Sequence, residues 1–305
     1  MGSPRRINDL NRSELAEKLR GQGLVLQTGP ARIRVHTRIP EVARLIALLY
    51  RDYPIMPGPV LADADLHLTR PKGPRRWWRS QVQCLIDGQP PFEALPLRLA
   101  YPMLEWALNW VVARRMQRYF MIHAAVVARG DQAVILPAWS GSGKSTLCAA
   151  LIQRGWRLLS DEFCLLNIAD GKIHPIPRPI PLKNESIAAF RQFAPDAVMG
   201  PTFFQTRKGD ISHIRPPSSA LDAIDRAVTA RWVVLPRYQA NAQARLEPVV
   251  PGRALLLMAG NSFNFNLLGA PAFDALSRLI ETVECHRIAY SDLEQATRVM
   301  DALSP

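Results

Sequence analysis

The stretch WSGSGKST at residues 139–146 decides the fold of this chain. It follows an apolar segment at 133–136 and precedes a segment with a helical apolar pattern at 147–152. A glycine-rich loop between a strand and a helix can turn its backbone N–H groups toward a phosphate, and the helix dipole adds to the attraction. The stretch therefore predicts a phosphate-binding loop. Ala138 stands where the strict motif has its first glycine, so the start of the loop departs from the common form.

The polar residues of this loop have separate expected tasks. Lys144 would reach the β- and γ-phosphates of a nucleotide, and the Ser145 hydroxyl would face Mg²⁺. We expect Lys144 to point toward solvent, so that its loss would cost little stability. The residues expected to contact the nucleotide in this loop are Ser140, Gly141, Ser142, Gly143, Lys144, Ser145 and Thr146.

Two adjacent acids follow the loop a short distance along the chain. The expected helix 144–153 stops at Arg154-Gly155, and residues 156–166 then predict one apolar strand interrupted by Asp161 and Glu162. Carboxylates beside nucleotide phosphates can hold Mg²⁺ or take the proton of an attacking hydroxyl. The alternative interpretation is a solvated strand end that carries two acids.

The spacing of the loop, of Arg154-Gly155 and of the acid pair resembles the nucleotide site of the HPr kinase/phosphorylase family. Within it, the chain is most similar to the HPr kinase-related kinase A group. The resemblance covers most of the chain and implies a P-loop fold related to that of phosphoenolpyruvate carboxykinase. Trp156 and the pair Asp161-Glu162 depart from the parent family's Arg-Gly-His and Asp-Asp. Further supporting stretches are LEWALNW at 104–110, HAA at 123–125, RPIPLKNES at 178–186 and NFN at 264–266.

The resemblance implies roles for three residues near the loop. Asp161 matches the general base, and Glu162 replaces the second acid and could serve Mg²⁺. His123, in the apolar run 121–127 before the loop strand, matches the histidine beside that base. An imidazole beside a carboxylate can orient it and pass its proton onward. Taken without the resemblance, a histidine on an apolar strand is more typical of a satisfied core residue.

Two further charged residues are candidates for the same site. Glu185 follows a proline-rich bend and could hold a metal, but it is equally typical of a helix start capped by Asn184. Lys208 lies in a turn, 206–210, that could close over the γ-phosphate, although a plain basic hairpin turn has the same pattern.

Composition favours a cytoplasmic enzyme. The chain has 305 residues, 48% of them hydrophobic, four cysteines without metal-ligand spacing and a formal net charge of +12. The longest apolar helix, about 101–119, contains Glu105, Arg114 and Arg115, so no membrane span is expected. Arg75–Arg79 is the main basic cluster, and because no nucleic-acid module accompanies it, we interpret the charge as favouring ATP and an acidic polypeptide.

The expected fold class is mixed α/β. An α+β accessory domain over 1–118 ends in a linking helix, and a P-loop kinase domain of the HPr kinase/phosphoenolpyruvate carboxykinase type covers 119–305. The expected function is ATP- and Mg²⁺-dependent phosphoryl transfer to a hydroxyl, in the first place a serine of a protein or peptide acceptor. A kinase for a sugar, amino acid or polyol and a nucleotide-binding regulator without turnover remain as alternatives. Assembly with copies of itself stays open, and no nucleic-acid partner is expected.

Overall fold

The computed structural model describes residues 5–56, 60–71, 80–139 and 141–303. The chain forms two compact units. The first comprises Met1–Met116 and Val198–Arg215, and the second comprises Gln117–Ala197 and Pro216–Pro305. Residues 198–215, which the sequence analysis placed after the boundary at 118, thus group with the first unit.

Strands and helices are interspersed along the chain. The strands are β1 (Leu24–Thr28), β2 (Ala31–Thr37), β3 (Ala64–Thr69), β4 (Gln81–Ile86), β5 (Leu95–Pro96), β6 (Tyr119–Ile122), β7 (Ala124–Arg129), β8 (Gln132–Pro137), β9 (Arg157–Ser160), β10 (Cys164–Asn167), β11 (Ile173–His174), β12 (Ile180–Lys183), β13 (Phe203–Thr206), β14 (Gly209–Ile214), β15 (Thr229–Tyr238), β16 (Arg245–Pro248) and β17 (Glu284–Tyr290). The helices are α1 (Arg12–Arg20), α2 (Pro40–Leu49), α3 (Ala100–Arg115), α4 (Lys144–Gln153), α5 (Glu185–Phe193), α6 (Ser218–Asp222), α7 (Pro251–Gly260), α8 (Phe265–Leu268), α9 (Ala270–Thr282) and α10 (Leu293–Asp301).

The first unit is built on a five-stranded sheet in the order β1-β2-β3-β4-β5. A tight hairpin joins β1 to β2, and α2 is the crossover between the parallel strands β2 and β3. Burial alternates along β2, with Ile33 and Val35 buried and Arg32 exposed, as expected for a sheet with one face on the core. The antiparallel strands β13 and β14 form a hairpin in the same unit.

The second unit contains a six-stranded sheet in the order β16-β17-β15-β8-β7-β9 and a three-stranded sheet in the order β11-β10-β6. In the larger sheet β8, β15 and β17 run parallel, so their carboxyl ends meet at one edge. The core against α7 and α9 includes Ile135, Val233, Met258 and Leu276. The fold is therefore mixed α/β with several sheets.

At two neighbouring turns the chain passes from one sheet to the other, between β6 and β7 and between β9 and β10. β6 pairs with β10, and β7 pairs with β9. The sequence predicts one strand over 121–127 and one over 156–166, and this prediction was wrong: each region forms two strands, which are separated by His123 and by residues 161–163. The break at His123 is stabilised from outside both sheets, because its backbone N–H donates to the Asn261 carbonyl at 2.8 Å. An apolar run does not reveal such a change of sheet, since both halves remain buried.

The sequence SDLE at 291–294 predicts a capping box at Ser291, but the cap of α10 is Asp292, whose side chain accepts from the Gln295 N–H. The four cysteines, Cys84, Cys148, Cys164 and Cys285, are buried and free. In the described part of the chain, no helix is both long and apolar enough to cross a membrane.

Candidate functional site

The loop between β8 and α4 takes a conformation that glycine favours. Gly141 and Gly143 have φ angles of +87° and +89°, in the left-handed region where a Cβ atom is strained. Lys144 is the first residue of α4, whose first hydrogen bond runs from the Leu147 N–H to the Gly143 carbonyl at 3.0 Å. Ser140 lies outside the described residues. A left-handed turn that leads into a helix N-terminus is the local geometry that phosphate-binding loops use.

Two neighbouring strands hold this loop in place. The Tyr290 hydroxyl, at the end of β17, donates to the Gly143 carbonyl at 2.8 Å. The Tyr238 N–H, at the end of β15, donates to the Ser142 carbonyl at 2.8 Å. A Cβ atom at Gly143 would collide with the Tyr290 hydroxyl, so close packing as well as the φ angle requires glycine there.

Lys144 is buried rather than directed into solvent. Its side chain is 7% exposed, its Nζ donates to the Asp161 carbonyl, and it lies 3.9 Å from Asp161 Oδ1. The expectation that Lys144 faces solvent was therefore wrong. A loop sequence does not show which carbonyls and carboxylates from distant strands will surround a long side chain.

Asp161 directly follows the last residue of β9. It is buried, and its Oδ2 accepts from the Ser145 hydroxyl at 2.8 Å. Its Oδ1 has no hydrogen-bond partner within the described residues. Burial raises the pKa of Asp161 to about 6, with Glu162 adding to the shift and Lys144, Ser145 and His123 opposing it. A carboxylate with this pKa is largely ionised at pH 7 yet is more basic than an ordinary aspartate.

Glu162 and His123 form a second, more open pair beside Asp161. His123 Nε2 lies 3.5 Å from Glu162 Oε2, and the two side chains are 25% and 27% exposed. The family resemblance implies that His123 lies beside Asp161, whereas the carboxylate it contacts is that of Glu162. The backbone N–H groups of Glu162 and Phe163 donate to the Ser160 hydroxyl, which fixes the turn that carries the acids.

Asn261 connects this pair to the start of the loop, and sequence reasoning missed it. Its Nδ2 donates to the carbonyls of His123 and Ala138, at 2.9 and 3.0 Å. Its Oδ1 lies 3.3 Å from His123 Nδ1. No signal in the sequence marks an asparagine after a helix as part of a site that lies far away along the chain.

The remaining candidates lie in more exposed positions. Thr146 follows Ser145 within the first turn of α4 and is half-buried. Glu185 is exposed at the first position of α5, and Asn184 makes no side-chain cap there. Lys208 is exposed in the turn between β13 and β14, in the first unit, with its N–H donating to the Thr206 hydroxyl at 3.1 Å. The cluster Arg75–Arg79 lies outside the described residues.

The described residues contain no group of three or more histidine, cysteine, aspartate or glutamate side chains arranged to hold a metal ion. This finding concerns metal sites in which protein side chains supply all or most of the ligands. A Mg²⁺ ion bound with a nucleotide usually takes one or two protein oxygens and completes its shell with phosphate and water. In the described site, the Ser145 hydroxyl oxygen lies 2.8 Å from Asp161 Oδ2.

Comparisons with known proteins give only a distant likeness. No family model matches the chain, and no curated protein matches it. A solved structure that resembles it is the HPr(Ser) kinase/phosphatase from Coxiella burnetii, with 14% sequence identity and a TM-score of 0.27. That match covers 60% of this chain and 94% of the other. At this TM-score the likeness carries no weight for function.

Proposed function

We propose that this protein is an ATP-dependent, Mg²⁺-requiring kinase that transfers the γ-phosphate to a hydroxyl, namely a serine of a protein or peptide. One observation carries the proposal. A buried carboxylate, Asp161, contacts both Lys144 and Ser145, the two residues that open the helix after a left-handed glycine loop. Loop amides, lysine, serine and acid are the parts that phosphoryl transfer needs.

The residues present fit a nucleotide with its metal. The left-handed glycines and the start of α4 suit phosphate, and Ser145 with Glu162 is proposed to face Mg²⁺, with Glu185 as a further candidate. Mg²⁺ bound there would neutralise charge on the phosphate oxygens. Lys208 lies in the first unit, and its contact with phosphate stays a prediction from the sequence. The unpartnered Oδ1 of Asp161 is a buried polar atom for which the site offers no internal partner within the described residues.

In the proposed reaction Asp161 takes the proton of the attacking serine. Its pKa of about 6 lies close to neutral pH, where a general base is most effective. Lys144 stabilises negative charge on the phosphate during transfer, since it is fixed and desolvated before the substrate arrives. The Glu162–His123 pair, which is partly open to solvent, offers the proton a route outward.

The acceptor is proposed to be an acidic polypeptide. The net charge of +12 favours association with an acidic partner through long-range attraction. Such attraction speeds encounter and weakens as salt is added.

The test is transfer of labelled γ-phosphate from Mg·ATP to a panel of acidic proteins, serine peptides, sugars, amino acids and polyols. Asp161→Asn should lower turnover by about 10²-fold or more while Mg·ATP still binds. Asp274→Asn, which changes an exposed aspartate of α9, is the matched control and should leave turnover unchanged.

Each other outcome has a clear meaning. Labelling of sugars, amino acids or polyols alone would replace the protein-kinase proposal with a small-molecule kinase. Binding of Mg·ATP without transfer to any acceptor would favour a nucleotide-binding regulator. Absence of Mg·ATP binding in the folded wild type would overturn the proposed function.

A further inference from the structure

The carboxyl ends of three parallel strands meet at the edge of the larger sheet. β8 leads into the loop, β15 ends at Tyr238, and β17 ends at Tyr290. Tyr238 and Tyr290 are paired neighbours in the parallel register. In open α/β sheets, ligands bind outside the carboxyl ends of the strands. Both tyrosines therefore stand where a ligand of the loop would extend.

Tyr238 is fixed against the loop but leaves much of its ring uncovered. Its N–H donates to the Ser142 carbonyl, and its Cβ would be 3.2 Å from a Cβ placed on Gly143. Its ring meets Tyr290 edge to face, with centroids 6.1 Å apart and an interplanar angle of 81°. The residue is nevertheless 56% exposed, although an aromatic side chain of this size normally gains most from burial.

Tyr238 and α4 also lie on the same face of the larger sheet. Val233 belongs to the core cluster with Ala254 and Leu276, and strand alternation places Tyr238 on the opposite face. No residue of α4 belongs to that cluster, and α4 packs against β15 and β7. The exposed ring of Tyr238 therefore lies on the same face of the larger sheet as α4, whose N-terminus follows the loop.

We propose that Tyr238 is the platform on which the base of a nucleoside triphosphate stacks while its phosphates occupy the loop. This inference rests on the proposed function. A planar heteroaromatic base with a polyphosphate tail is the ligand that needs an exposed ring and a phosphate loop side by side. Stacking of one base on an aromatic ring changes affinity by about 5- to 150-fold.

The experiment compares binding of Mg·ATP with binding of Mg·tripolyphosphate, which has the phosphates but no base. Calorimetry on the wild type, Tyr238→Ala and Tyr238→Phe gives the two affinities for each protein. We expect Tyr238→Ala to weaken Mg·ATP by about 5- to 150-fold and to leave Mg·tripolyphosphate within twofold. Tyr238→Phe, which keeps the ring, should bind both as the wild type does.

Phe273→Ala is the control, because it removes another exposed aromatic ring of the second unit, on α9. It should change neither affinity. Equal Mg·ATP binding by Tyr238→Ala and the wild type would overturn the proposal that Tyr238 stacks on the base, and it would leave the proposed function standing. Equal loss of both ligands would also overturn it, since Tyr238 would then only shape the loop. If the folded wild type binds neither ligand, the proposed function and the platform fall together.

Discussion

Each of the two units buries one carboxylate among its described residues, and the two are treated in opposite ways. In the first unit, Glu105 accepts hydrogen bonds from the hydroxyls of Tyr50 and Tyr101, at 2.8 and 2.6 Å. In the second unit, Asp161 accepts from Ser145 through one oxygen, and its other oxygen has no hydrogen-bond partner in the described part of the chain.

On the proposed function, this difference separates an acid that stabilises the fold from one that takes part in catalysis. Buried polar groups are normally paired, because an unsatisfied one loses its hydration without compensation. Glu105 follows that rule and ties α2 to α3 through Tyr50. Asp161 departs from this rule, because its buried Oδ1 has no hydrogen-bond partner in the described part of the chain. We infer that the fold tolerates this less stable arrangement because phosphoryl transfer uses Oδ1.

The largest expected effect comes from removing the cation beside Asp161. On the proposed function, Lys144→Ala should lower phosphoryl transfer on the order of 10²–10³-fold, since it deletes the fixed charge that would stabilise the phosphate during transfer. It should also lower the free energy of unfolding by about 1–3 kcal/mol, because the Asp161 carbonyl loses its donor. Without Lys144 the pKa of Asp161 should rise, since Lys144 opposes the shift caused by burial. Asp161 can then take up a proton, which limits the loss of unfolding free energy.

Turnover assays and urea unfolding check both parts of this prediction. Lys172→Ala, at an exposed lysine of the same unit, should change neither quantity. A fully stable Lys144→Ala protein would show that the buried position of Lys144 contributes little to the fold.

The second effect concerns pH. If ionised Asp161 is the base, kcat/KM should fall about tenfold for each pH unit below the pKa of about 6 and level off above it. Rates measured from pH 5 to 8 give this limb, and unfolding monitored at each pH excludes loss of structure. A flat profile down to pH 5 would assign the base to another group, with Glu185 as the next candidate.

The structural acid should behave differently. Glu105→Leu removes the acceptor of the Tyr50 and Tyr101 hydroxyls, and each lost hydrogen bond is expected to lower the free energy of unfolding by about 1–3 kcal/mol. Glu105→Gln keeps an acceptor oxygen and should lose less. Mg·ATP binding by the folded Glu105→Gln protein should match that of the wild type, which calorimetry can check. Loss of nucleotide binding there would remove the distinction between the two acids.

The sequence allowed the local features to be predicted but not their surroundings. The helix expected over 144–153 follows from apolar periodicity and from the stop signal after it, and α4 spans Lys144–Gln153. The corner at His123 depends on hydrogen bonds between His123 and Asn261, which lies far along the chain, so no local pattern could indicate it. Burial of Lys144 and the tyrosine support of Gly143 are likewise products of long-range packing.

The smallest expected effect is at Glu185. It is exposed in the first turn of α5, where a negative charge interacts favourably with the helix dipole. Glu185→Gln should lower stability by about 0.3–1 kcal/mol. If it also faces the metal, the Mg²⁺ concentration for half-maximal turnover will rise. A Mg²⁺ titration separates these roles, and an unchanged midpoint would remove Glu185 from the metal site.

The central claim is that the fold keeps Asp161 as a buried carboxylate at the expense of stability. Its most direct test is the free energy of unfolding of Asp161→Asn as a function of pH. The pKa of Asp161 is about 6 in the folded chain, against 3.8 for an unperturbed aspartate side chain, so ionisation disfavours the folded state. The wild type should therefore lose stability as the pH rises from about 4 to 6, relative to the variant. At pH 7 the inactive variant should be more stable, by about 3 kcal/mol at most, and this advantage should shrink toward pH 4. A variant that is less stable than the wild type at pH 7, or whose difference does not change with pH, would contradict the account.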